Sequence, residues 1–389
     1  MKAIQAGLVA GLIVCGGCAT VKRERNAVPQ NLVSEAIIPG IPNARYWGDD
    51  ISDSYNELLK KSPEELNLMF SGIIDKPHAY IGISGGGANG AYGAGVLAGW
   101  SASGKRPEFT VVTGTSTGSI IAPFAFLGSD YDNVLKTLYS EKSTEDVLND
   151  RRLLKGLRSD ALSELDPLRE LLSGYLGDPE IEAIAEEYRI GRRLFIGTVN
   201  MDALRPVTWN IGEIAASGSP GARDLILDII IASTSIPVAF PPVFIDVEAE
   251  GQTFQEMHVD GGLAAQVFVY PATLEWEQVR ARIKPAGTPQ VYVIRNAKLD
   301  PKWEVVDAKL IPLAARSLDS LIRTQGIGDL EEIALSTQRD KLDFHLAYIP
   351  ASFDEKANEA FDPVYMSKLF DLGFQSTLDG TAWRSKIGN

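Results

Sequence analysis

Short apolar runs alternate with longer segments of helical spacing through most of the chain. An apolar run of about four to eight residues bounded by turn residues is typical of a buried strand, whereas apolar positions every three or four residues indicate a helix. The predicted strands are 79–84, 109–113, 194–199, 205–210, 254–259, 290–294 and 344–349. The predicted helices are 91–100, 119–126, 130–140, 161–175, 179–189, 225–233, 309–339, with a break at 326–328, and 362–372. This alternation predicts an α/β fold with a largely parallel central sheet between two helical layers.

The first 76 residues lack this alternation. Several prolines interrupt any regular pattern, and only residues 63–70 have helical spacing. Proline lacks the backbone N–H that helices and central strands use, so a segment rich in proline favours irregular structure. The predicted parts of the chain are a signal segment at 1–18, a mostly irregular arm at 19–76 that ends in a short helix, and a domain at 77–389.

The chain is strongly acidic. Its 389 residues carry a formal net charge of −14, with 45% hydrophobic and 23% charged residues. This is the composition of a globular protein with a sizeable core. Nucleic-acid backbones select basic faces, so the charge argues against a nucleic-acid partner. An anionic membrane would not attract the protein either, and contact with lipid therefore requires an anchor or apolar loops.

The amino-terminal 18 residues supply such an anchor. Lys2 precedes an apolar stretch at 3–14 that is too short to span a bilayer, and small residues lead to Cys18. The segment resembles a bacterial lipoprotein signal, in which the cysteine is lipidated and becomes the first residue of the mature protein. Cys15 stands where such signals usually have leucine, and a simple secretory signal or a Cys15–Cys18 redox pair are the alternatives. We expect a lipid-anchored protein of the cell envelope, at the outer membrane because no acidic residue directly follows Cys18.

A serine turn follows the predicted strand at 109–113. Gly114 and Gly118 lie two residues on either side of Ser116, and helical spacing resumes at 119–126. A strand, a sharp turn and a helix in this order raise the hydroxyl above the helix N-terminus, whose free N–H groups favour negative charge. Glycines are needed there because side chains would collide with the crossing strand and helix. Ser116 is therefore a candidate nucleophile, and an ordinary strand-to-helix turn is the alternative.

A glycine-rich segment at 85–90 follows the first predicted strand and opens a helix. Backbone N–H groups in such a loop form a concave site for an anion beside the serine turn. The spacing also fits the glycine pattern of dinucleotide-binding folds, which have an acidic residue at the end of the second strand. Here Glu108 precedes the second strand, and that strand leads into the serine turn instead. The nucleotide-binding interpretation therefore lacks its acidic residue.

An attacking serine needs a base, and the polar candidates downstream are His258, Asp260 and His345. Asp260 precedes Gly261 and Gly262 at the predicted end of a strand, where a carboxylate on an uncrowded turn can approach another segment. His258 is expected to neighbour this turn. His345 lies in an apolar run and is expected to face solvent from a strand. Asp260 is therefore the first candidate.

The ordered set of motifs resembles the patatin-like phospholipase family. It begins with the glycine pattern at 85–90 and the Gly-x-Ser-x-Gly turn at 114–118. It continues with Ala232-Ser233-x-x-x-Pro237-x-x-Phe240-Pro241-Pro242 and with Asp260-Gly261-Gly262. The resemblance covers residues 79–265. It implies a three-layer α/β/α hydrolase that cleaves acyl esters of lipids.

For the site, the resemblance implies a Ser–Asp dyad with Ser116 as nucleophile and Asp260 as base. It also implies an oxyanion hole formed by the backbone N–H groups of Gly85, Gly86 and Gly87. Neither a metal ion nor a cofactor is required. The residues expected to support the motifs are Asn89, Gly90, Gly114, Gly118, Gly261 and Gly262.

One position departs from the family. The residue before the last glycine of the first motif is commonly Arg or Lys in the family, and here it is Asn89. The positive charge beside the oxyanion is therefore missing. We expect Asn89 to donate a hydrogen bond in the site or to cap the following helix.

Two alternatives remain for the function. The order Ser116, Asp260, His345 is also that of an α/β-hydrolase triad. The second alternative is a non-catalytic envelope scaffold whose site has decayed. Only Asn89 supports it, and the presence of Ser116 and Asp260 argues against it. The expected partners are a lipid acyl ester and, through the anchor, a membrane. Nucleic acid is not expected, and the sequence assigns no oligomeric state.

Overall fold

The computed structural model describes residues 25–148, 165–237, 239–301 and 303–388. The predicted signal segment with Cys18 lies outside these residues. The helix predicted at 161–175 falls within them only from residue 165 onward.

Among the described residues, a nine-stranded sheet forms the centre of the fold. Its strands are β1 (Arg45–Trp47), β2 (Ala79–Ile83), β3 (Val111–Thr115), β4 (Arg193–Asn200), β5 (Arg205–Asn210), β6 (Val243–Ala249), β7 (Gln252–Asp260), β8 (Gln290–Arg295) and β9 (Asp343–Tyr348). The order across the sheet is β1-β5-β4-β3-β2-β8-β9, and the β6–β7 hairpin joins β4 through β7. Strands β4, β3, β2, β8 and β9 are mutually parallel. The predicted largely parallel sheet is confirmed.

Helices cover both faces of the sheet. They are α1 (Asp53–Lys60), α2 (Pro63–Met69), α3 (Gly90–Ala102), α4 (Thr117–Leu127), α5 (Asp132–Ser140), α6 (Thr144–Val147), α7 (Asp166–Ser173), α8 (Asp178–Arg189), α9 (Ile211–Ala216), α10 (Ala222–Thr234), α11 (Trp276–Ile283), α12 (Leu310–Asp340) and α13 (Pro363–Leu378). Within the described ranges, every helix is too short or too polar to cross a bilayer.

Side chains on the central strands alternate between two apolar cores. On β2, Ile81 and Ile83 enter the larger core, which also contains side chains of α3, α4 and α10. Tyr80 faces the smaller core on the opposite side, together with Trp276 of α11 and Leu330 of α12. Both faces of the parallel strands are thus buried, which is why these strands are continuous apolar runs in the sequence. The predicted three-layer α/β/α arrangement is confirmed.

The predicted strands and helices are largely present, with ends shifted by a few residues. The strand predicted at 109–113 lies at Val111–Thr115 and leads directly into the serine turn. The sequence pattern missed β6, whose alternate residues Asp246 and Glu248 are exposed. It also missed the short helices α1, α9 and α11, in which charged and small residues obscure the helical spacing.

The break predicted within the helix at 309–339 is wrong. Helix α12 continues through Gly326 and Gly328 without interruption. A glycine inside a helix costs about 1 kcal/mol relative to alanine but does not by itself end the helix. Gly326 packs against the guanidinium of Arg295, and a Cβ there would lie 2.2 Å from Nη1. A close contact rather than a turn therefore accounts for this glycine.

The described part of the amino-terminal arm is largely irregular and ends in the predicted short helix, α2. It also contains two elements that the sequence did not predict, α1 and β1, and β1 pairs with β5 at one edge of the sheet. Leu32, Ile38 and Ile41 are buried in the larger core, and Arg45 forms an ion pair with Glu256 of β7 at 2.6 Å. These partners are distant in the sequence, so local spacing could not reveal them. The domain boundary at residue 76 stays a prediction.

Candidate active site

Ser116 lies on the sharp turn between β3 and α4. Its backbone has φ 54° and ψ −127°. Non-glycine residues rarely adopt a positive φ, and such a conformation costs on the order of 1–3 kcal/mol. The surrounding structure must enforce this strain, which is characteristic of functional sites. The structure therefore places the predicted nucleophile on a strained strand–turn–helix junction.

The two glycines beside Ser116 permit a very close crossing of β2, β3 and α4. A Cβ on Gly114 would lie 2.3 Å from the carbonyl oxygen of Gly118. A Cβ on Gly118 would lie 2.1 Å from the carbonyl oxygen of Ile83. Both obstacles are backbone atoms that cannot rotate away, so any larger residue would force the turn open.

Ser233, near the end of α10, holds the serine turn in place. Its Oγ accepts the backbone N–H of Ser116 at 3.0 Å and donates to the carbonyl oxygen of Gly197 on β4 at 2.7 Å. On the other side of the turn, Ser119 donates its hydroxyl proton to the Ser116 carbonyl at 2.6 Å. Ser233 is part of a sequence motif, but its role could not be predicted because its contact with Ser116 spans 117 residues.

Asp260 is the last residue of β7 and lies at the same sheet edge as Ser116. Strand β4 connects the two positions. Gly197 pairs with Thr115, the residue before Ser116, and the next residue, Thr198, pairs with Asp260. The structure thus brings together two predicted site residues that are far apart in the sequence.

The Asp260 turn is fixed by two hydrogen bonds. The Asp260 N–H is donated to the carbonyl oxygen of Ser235 at 3.0 Å, and Oδ1 accepts the Gly262 N–H at 2.7 Å. Oδ2 is buried and has no hydrogen-bond partner among the described residues. Buried acceptors without a partner are rare. This oxygen is therefore free to accept a proton.

Burial controls the ionisation of Asp260. Removal of the carboxyl from water raises the pKa of Asp260 to about 7, although the neighbouring Ser116 side chain and the Gly262 N–H favour the ionised form. A general base is most effective when its pKa lies near the working pH. The Asp260 carboxyl has this property without help from a histidine.

The glycine loop after β2 differs in part from the expected oxyanion hole. The Gly85 N–H is donated to the carbonyl oxygen of Gln266 at 3.1 Å and is not available to an oxyanion. The Gly86 and Gly87 N–H groups have no acceptor among the described residues. The available donors are thus two of the three that the sequence predicted.

Asn296, directly after β8, shapes this glycine loop, and no sequence motif pointed to it. Its amide Nδ2 donates to the Ser84 carbonyl oxygen at 2.9 Å, and its Oδ1 accepts the Gly93 N–H at 3.0 Å. Gly86 has φ +157°, and a Cβ there would lie 2.4 Å from the carbonyl oxygen of Asn296. The loop can therefore pass Asn296 only with glycine at position 86.

Asn89 does not cap α3. It occupies the N-cap position, but its side chain makes no capping hydrogen bond. Its Oδ1 instead accepts the hydroxyl proton of Tyr365 on α13 at 2.7 Å. The capping role expected from the sequence is therefore wrong, and this side chain joins the glycine loop to α13.

His345 is far from Ser116, so the structure contradicts the triad. The registers of β9, β8, β2 and β3 put His345 level with Val112 and three strands away from β3. With about 3.3 Å per residue and 4.8 Å between strands, it lies roughly 20 Å from Ser116. Its ring stacks on Tyr292 with centroids 4.7 Å apart, and its Nε2 bonds with Gln290 Oε1 at 2.8 Å.

His258 is buried two residues before Asp260 but belongs to a different network. Its Nε2 lies 3.0 Å from Glu256 Oε2, and its Nδ1 lies 3.0 Å from Thr198 Oγ1. Glu256 also pairs with Arg45 of the arm. Burial lowers the pKa of His258, an effect that the neighbouring carboxylate partly offsets. Both ring nitrogens already have hydrogen-bond partners, so Asp260 and not His258 is the candidate base.

Within the part of the chain that the structure describes, no group of three or more His, Cys, Asp and Glu side chains could hold a metal ion. The site consists of a strained serine, a buried carboxyl and a loop with two available N–H groups. Such a set can activate a hydroxyl, attack a carbonyl carbon and stabilise the negative charge that develops on its oxygen.

The chain is similar to a known protein family. Residues 82–273 match a family model described as "Patatin-like phospholipase". This range contains both motif glycine clusters, Ser116 and Asp260. No curated protein matches the chain.

Three solved structures are similar at low identity. VipD from Legionella pneumophila is 14% identical with a TM-score of 0.34, and the match covers 79% of this chain and 68% of that chain. The type III effector protein ExoU is 13% identical with a TM-score of 0.26, covering 80% of this chain and 54% of that one. Full-length ExoU in complex with SpcU from Pseudomonas aeruginosa is 12% identical with a TM-score of 0.29, covering 78% and 52%. The chain thus spans about half the length of the ExoU chains.

Proposed function

Because its residues 82–273 make the chain a member of the patatin-like phospholipase family, we propose that this protein hydrolyses acyl esters of lipids with Ser116 as nucleophile and Asp260 as base. The observation that carries the proposal is the juxtaposition of a strained serine and a buried carboxyl whose Oδ2 lacks a partner within the described residues. Membership in the family supports the lipid hydrolase class, and the site geometry supports the two roles.

In the first half of the reaction, Asp260 takes the hydroxyl proton of Ser116 while Oγ attacks the ester carbonyl carbon. The carbonyl oxygen becomes an oxyanion that the Gly86 and Gly87 N–H groups stabilise. The carbon–oxygen bond to the alcohol then breaks, and Asp260 returns the proton to the leaving alcohol. An acyl group remains on Ser116.

In the second half, water replaces the alcohol. Asp260 takes a proton from the water, and the hydroxide attacks the acyl carbon of the Ser116 ester. The oxyanion forms and collapses in the same glycine loop. The fatty acid leaves as Ser116 regains its proton from Asp260, which restores the starting state.

A fluorophosphonate probe tests the proposal. We expect stoichiometric labelling of the wild-type chain and none of the Ser116→Ala variant, because only an activated serine reacts with this probe. Ser217→Ala, a serine at the end of α9, is the control and should label normally. Absence of labelling in the wild type would instead favour the non-catalytic scaffold.

We also propose that the protein is anchored in the cell envelope, at the outer membrane, through lipid on Cys18. The lipoprotein-like segment at 1–18 supports this proposal. Metabolic labelling with a palmitate analogue, followed by fractionation, tests it. The wild type should be labelled and sediment with membranes, and Cys18→Ser should remove the label without changing turnover of a soluble ester. An unlabelled wild type in the soluble fraction would contradict both the anchor and the location.

A further inference from the structure

Helix α12 is longer than the sheet against which it packs. It contains 31 residues and is therefore about 46 Å long at 1.5 Å per residue. Strand β8, which precedes it, contains six residues and spans about 20 Å. Because α12 connects the carboxyl end of β8 to the amino end of β9, it runs antiparallel to both strands. Its first part must then project beyond the sheet edge at which Ser116 lies.

Three contacts show where α12 leaves the body of the protein. Asp329 accepts the Gln266 N–H at 2.6 Å, and Gln325 donates to the carbonyl oxygen of Ala264. Both partners follow closely after Asp260. Two residues before Gln325, Arg323 donates to the carbonyl oxygen of Leu299 at 2.7 Å. The part of the helix at 310–322, about 20 Å long, lies beyond these contacts.

The projecting segment exposes large apolar side chains. Leu310 and Leu321 are 85% and 68% exposed, and Leu313 is 49% exposed. These three residues lie at positions i, i+3 and i+11, which places them on one face of the helix. In the preceding segment Trp303 and Val305 are 85% and 77% exposed. We call these five residues the apolar rim.

We propose that the apolar rim docks on a lipid surface and so brings the edge that carries Ser116 to its substrate; this rests on the proposed function. The rim begins only seven residues after Asn296, the residue that shapes the glycine loop. An exposed apolar patch of this kind marks an interaction site. Exposed tryptophan and leucine side chains, here on the segment before α12 and on the first turns of α12, are suited to the boundary between headgroups and acyl chains.

The charge of the protein selects the occupant. At a net charge of −14, two copies repel each other and an anionic bilayer repels the chain. A zwitterionic surface does not repel the acidic chain, and burial of apolar area in it is favourable. We therefore name a phosphatidylcholine-like surface as the occupant. A second copy of the chain or a partner protein would be a different result.

Fluorescence quenching tests the docking in the full chain. The signal of Trp303 is the difference between Ser116→Ala protein and the same protein carrying Trp303→Phe, so that neither catalysis nor the other tryptophans enter the readout. Vesicles of phosphatidylcholine brominated on the acyl chains should quench this difference signal strongly. Unbrominated vesicles are the control. A Trp303 signal that brominated vesicles leave unchanged would overturn the proposal.

Turnover provides the second test. The double variant Leu310→Gln/Leu313→Gln should hydrolyse vesicle phosphatidylcholine at least about tenfold more slowly, since each leucine transferred into lipid contributes roughly a factor of ten or more. Its turnover of a soluble short-chain ester should not change. Leu335→Gln is the matched control. Leu335 is 66% exposed on the same helix, but it follows the contacts of Arg323, Gln325 and Asp329 and is therefore outside the projecting segment.

The possible failures are distinguishable. If the wild type fails to react with fluorophosphonate but Trp303 is quenched, the proposed function fails and the docking stands. If the double variant keeps full vesicle turnover, or loses soluble turnover as well, the docking role is wrong. If light scattering shows a dimer that Leu310→Gln/Leu313→Gln dissociates while Trp303 stays unquenched, the occupant is a second copy.

Discussion

The side-chain hydroxyl of Ser233 accepts a hydrogen bond from the backbone N–H of Ser116. Because this N–H is donated to Ser233 Oγ at 3.0 Å, it is not available to an oxyanion. The same hydroxyl is tied to Gly197 of β4, so the strained turn is held against the sheet. Two residues later, the Ser235 carbonyl accepts the Asp260 N–H. The end of α10 therefore positions both the proposed nucleophile and the proposed base.

Ser233→Ala should lower kcat for a soluble ester by roughly 10- to 100-fold, with little change in KM. Removal of the hydroxyl leaves a buried N–H unpaired, which costs about 1–3 kcal/mol, and allows the positive-φ turn to relax. Steady-state kinetics with thermal unfolding measure both effects. Ser235→Ala is the control, since this variant keeps the backbone carbonyl that accepts the Asp260 N–H. Equal losses in the two variants would contradict the positioning role of the Ser233 side chain.

The pH dependence of kcat/KM should follow Asp260. Only the ionised carboxylate can accept the Ser116 proton, and burial raises the pKa of Asp260 to about 7. Below that pH the rate should fall about tenfold per pH unit, and above it the rate should level off. Initial rates on a soluble ester between pH 5 and pH 9 give the profile in one experiment. A rate that stays constant down to pH 5 would rule out this carboxyl as the base.

Asp260→Asn should abolish activity and at the same time stabilise the fold above pH 7. Loss of a general base typically costs on the order of 10²–10⁴ in rate. The folded pKa lies above the unfolded value of about 3.9, so the native state holds its proton longer and loses stability as pH rises from 4 to 7. The neutral amide avoids that loss, which is on the order of 1–4 kcal/mol.

Chemical denaturation of the Asp260→Asn variant and of the wild type at pH 5 and pH 8 measures this gain. Asp246→Asn, at an exposed residue of β6, is the control. A variant less stable than the wild type at pH 8 would contradict the prediction, because it would mean that interactions in the fold stabilise the ionised Asp260 carboxylate.

His345→Ala should leave ester turnover within about twofold of the wild type. The imidazole lies roughly 20 Å from Ser116 by strand register and bonds with Gln290, so it cannot relay a proton there. The measurement is kcat/KM alongside a circular dichroism spectrum. Activity lost by a correctly folded variant would favour a triad and require a different arrangement of β9.

Gly86→Ala should reduce turnover by about 100-fold or more. The added Cβ would lie 2.4 Å from the Asn296 carbonyl oxygen, and the shift needed to avoid it would misdirect the N–H groups proposed for the oxyanion. The rate of fluorophosphonate labelling reports the loss. Gly104→Ala is matched to it, because Gly104 also has a positive φ but no atom within 4 Å of a Cβ. It should lose some stability and keep its rate.

The sequence alone determined those features that depend on neighbours in the chain. Strand β3, the Gly114–Ser116–Gly118 turn and α4 follow from an apolar run, two glycines and a helical repeat within twenty residues. The three-layer architecture follows in the same way, because buried parallel strands and the helices between them each have a local pattern. The ordered motifs also indicated the family that residues 82–273 match.

Tertiary structure decided everything that depends on partners distant in the chain. Strand β1 could not be predicted, because its residues become a strand only by pairing with β5. The sequence could not distinguish the Gly85 N–H from those of Gly86 and Gly87, because its hydrogen bond to the Gln266 carbonyl exists only in the folded chain. His345 was excluded from a catalytic triad only by the register of four strands. The reason for a glycine at position 326 within α12 is Arg295, whose guanidinium lies where a Cβ would be. A local pattern specifies which conformations a segment can adopt, but hydrogen bonds and burial between distant segments select among them.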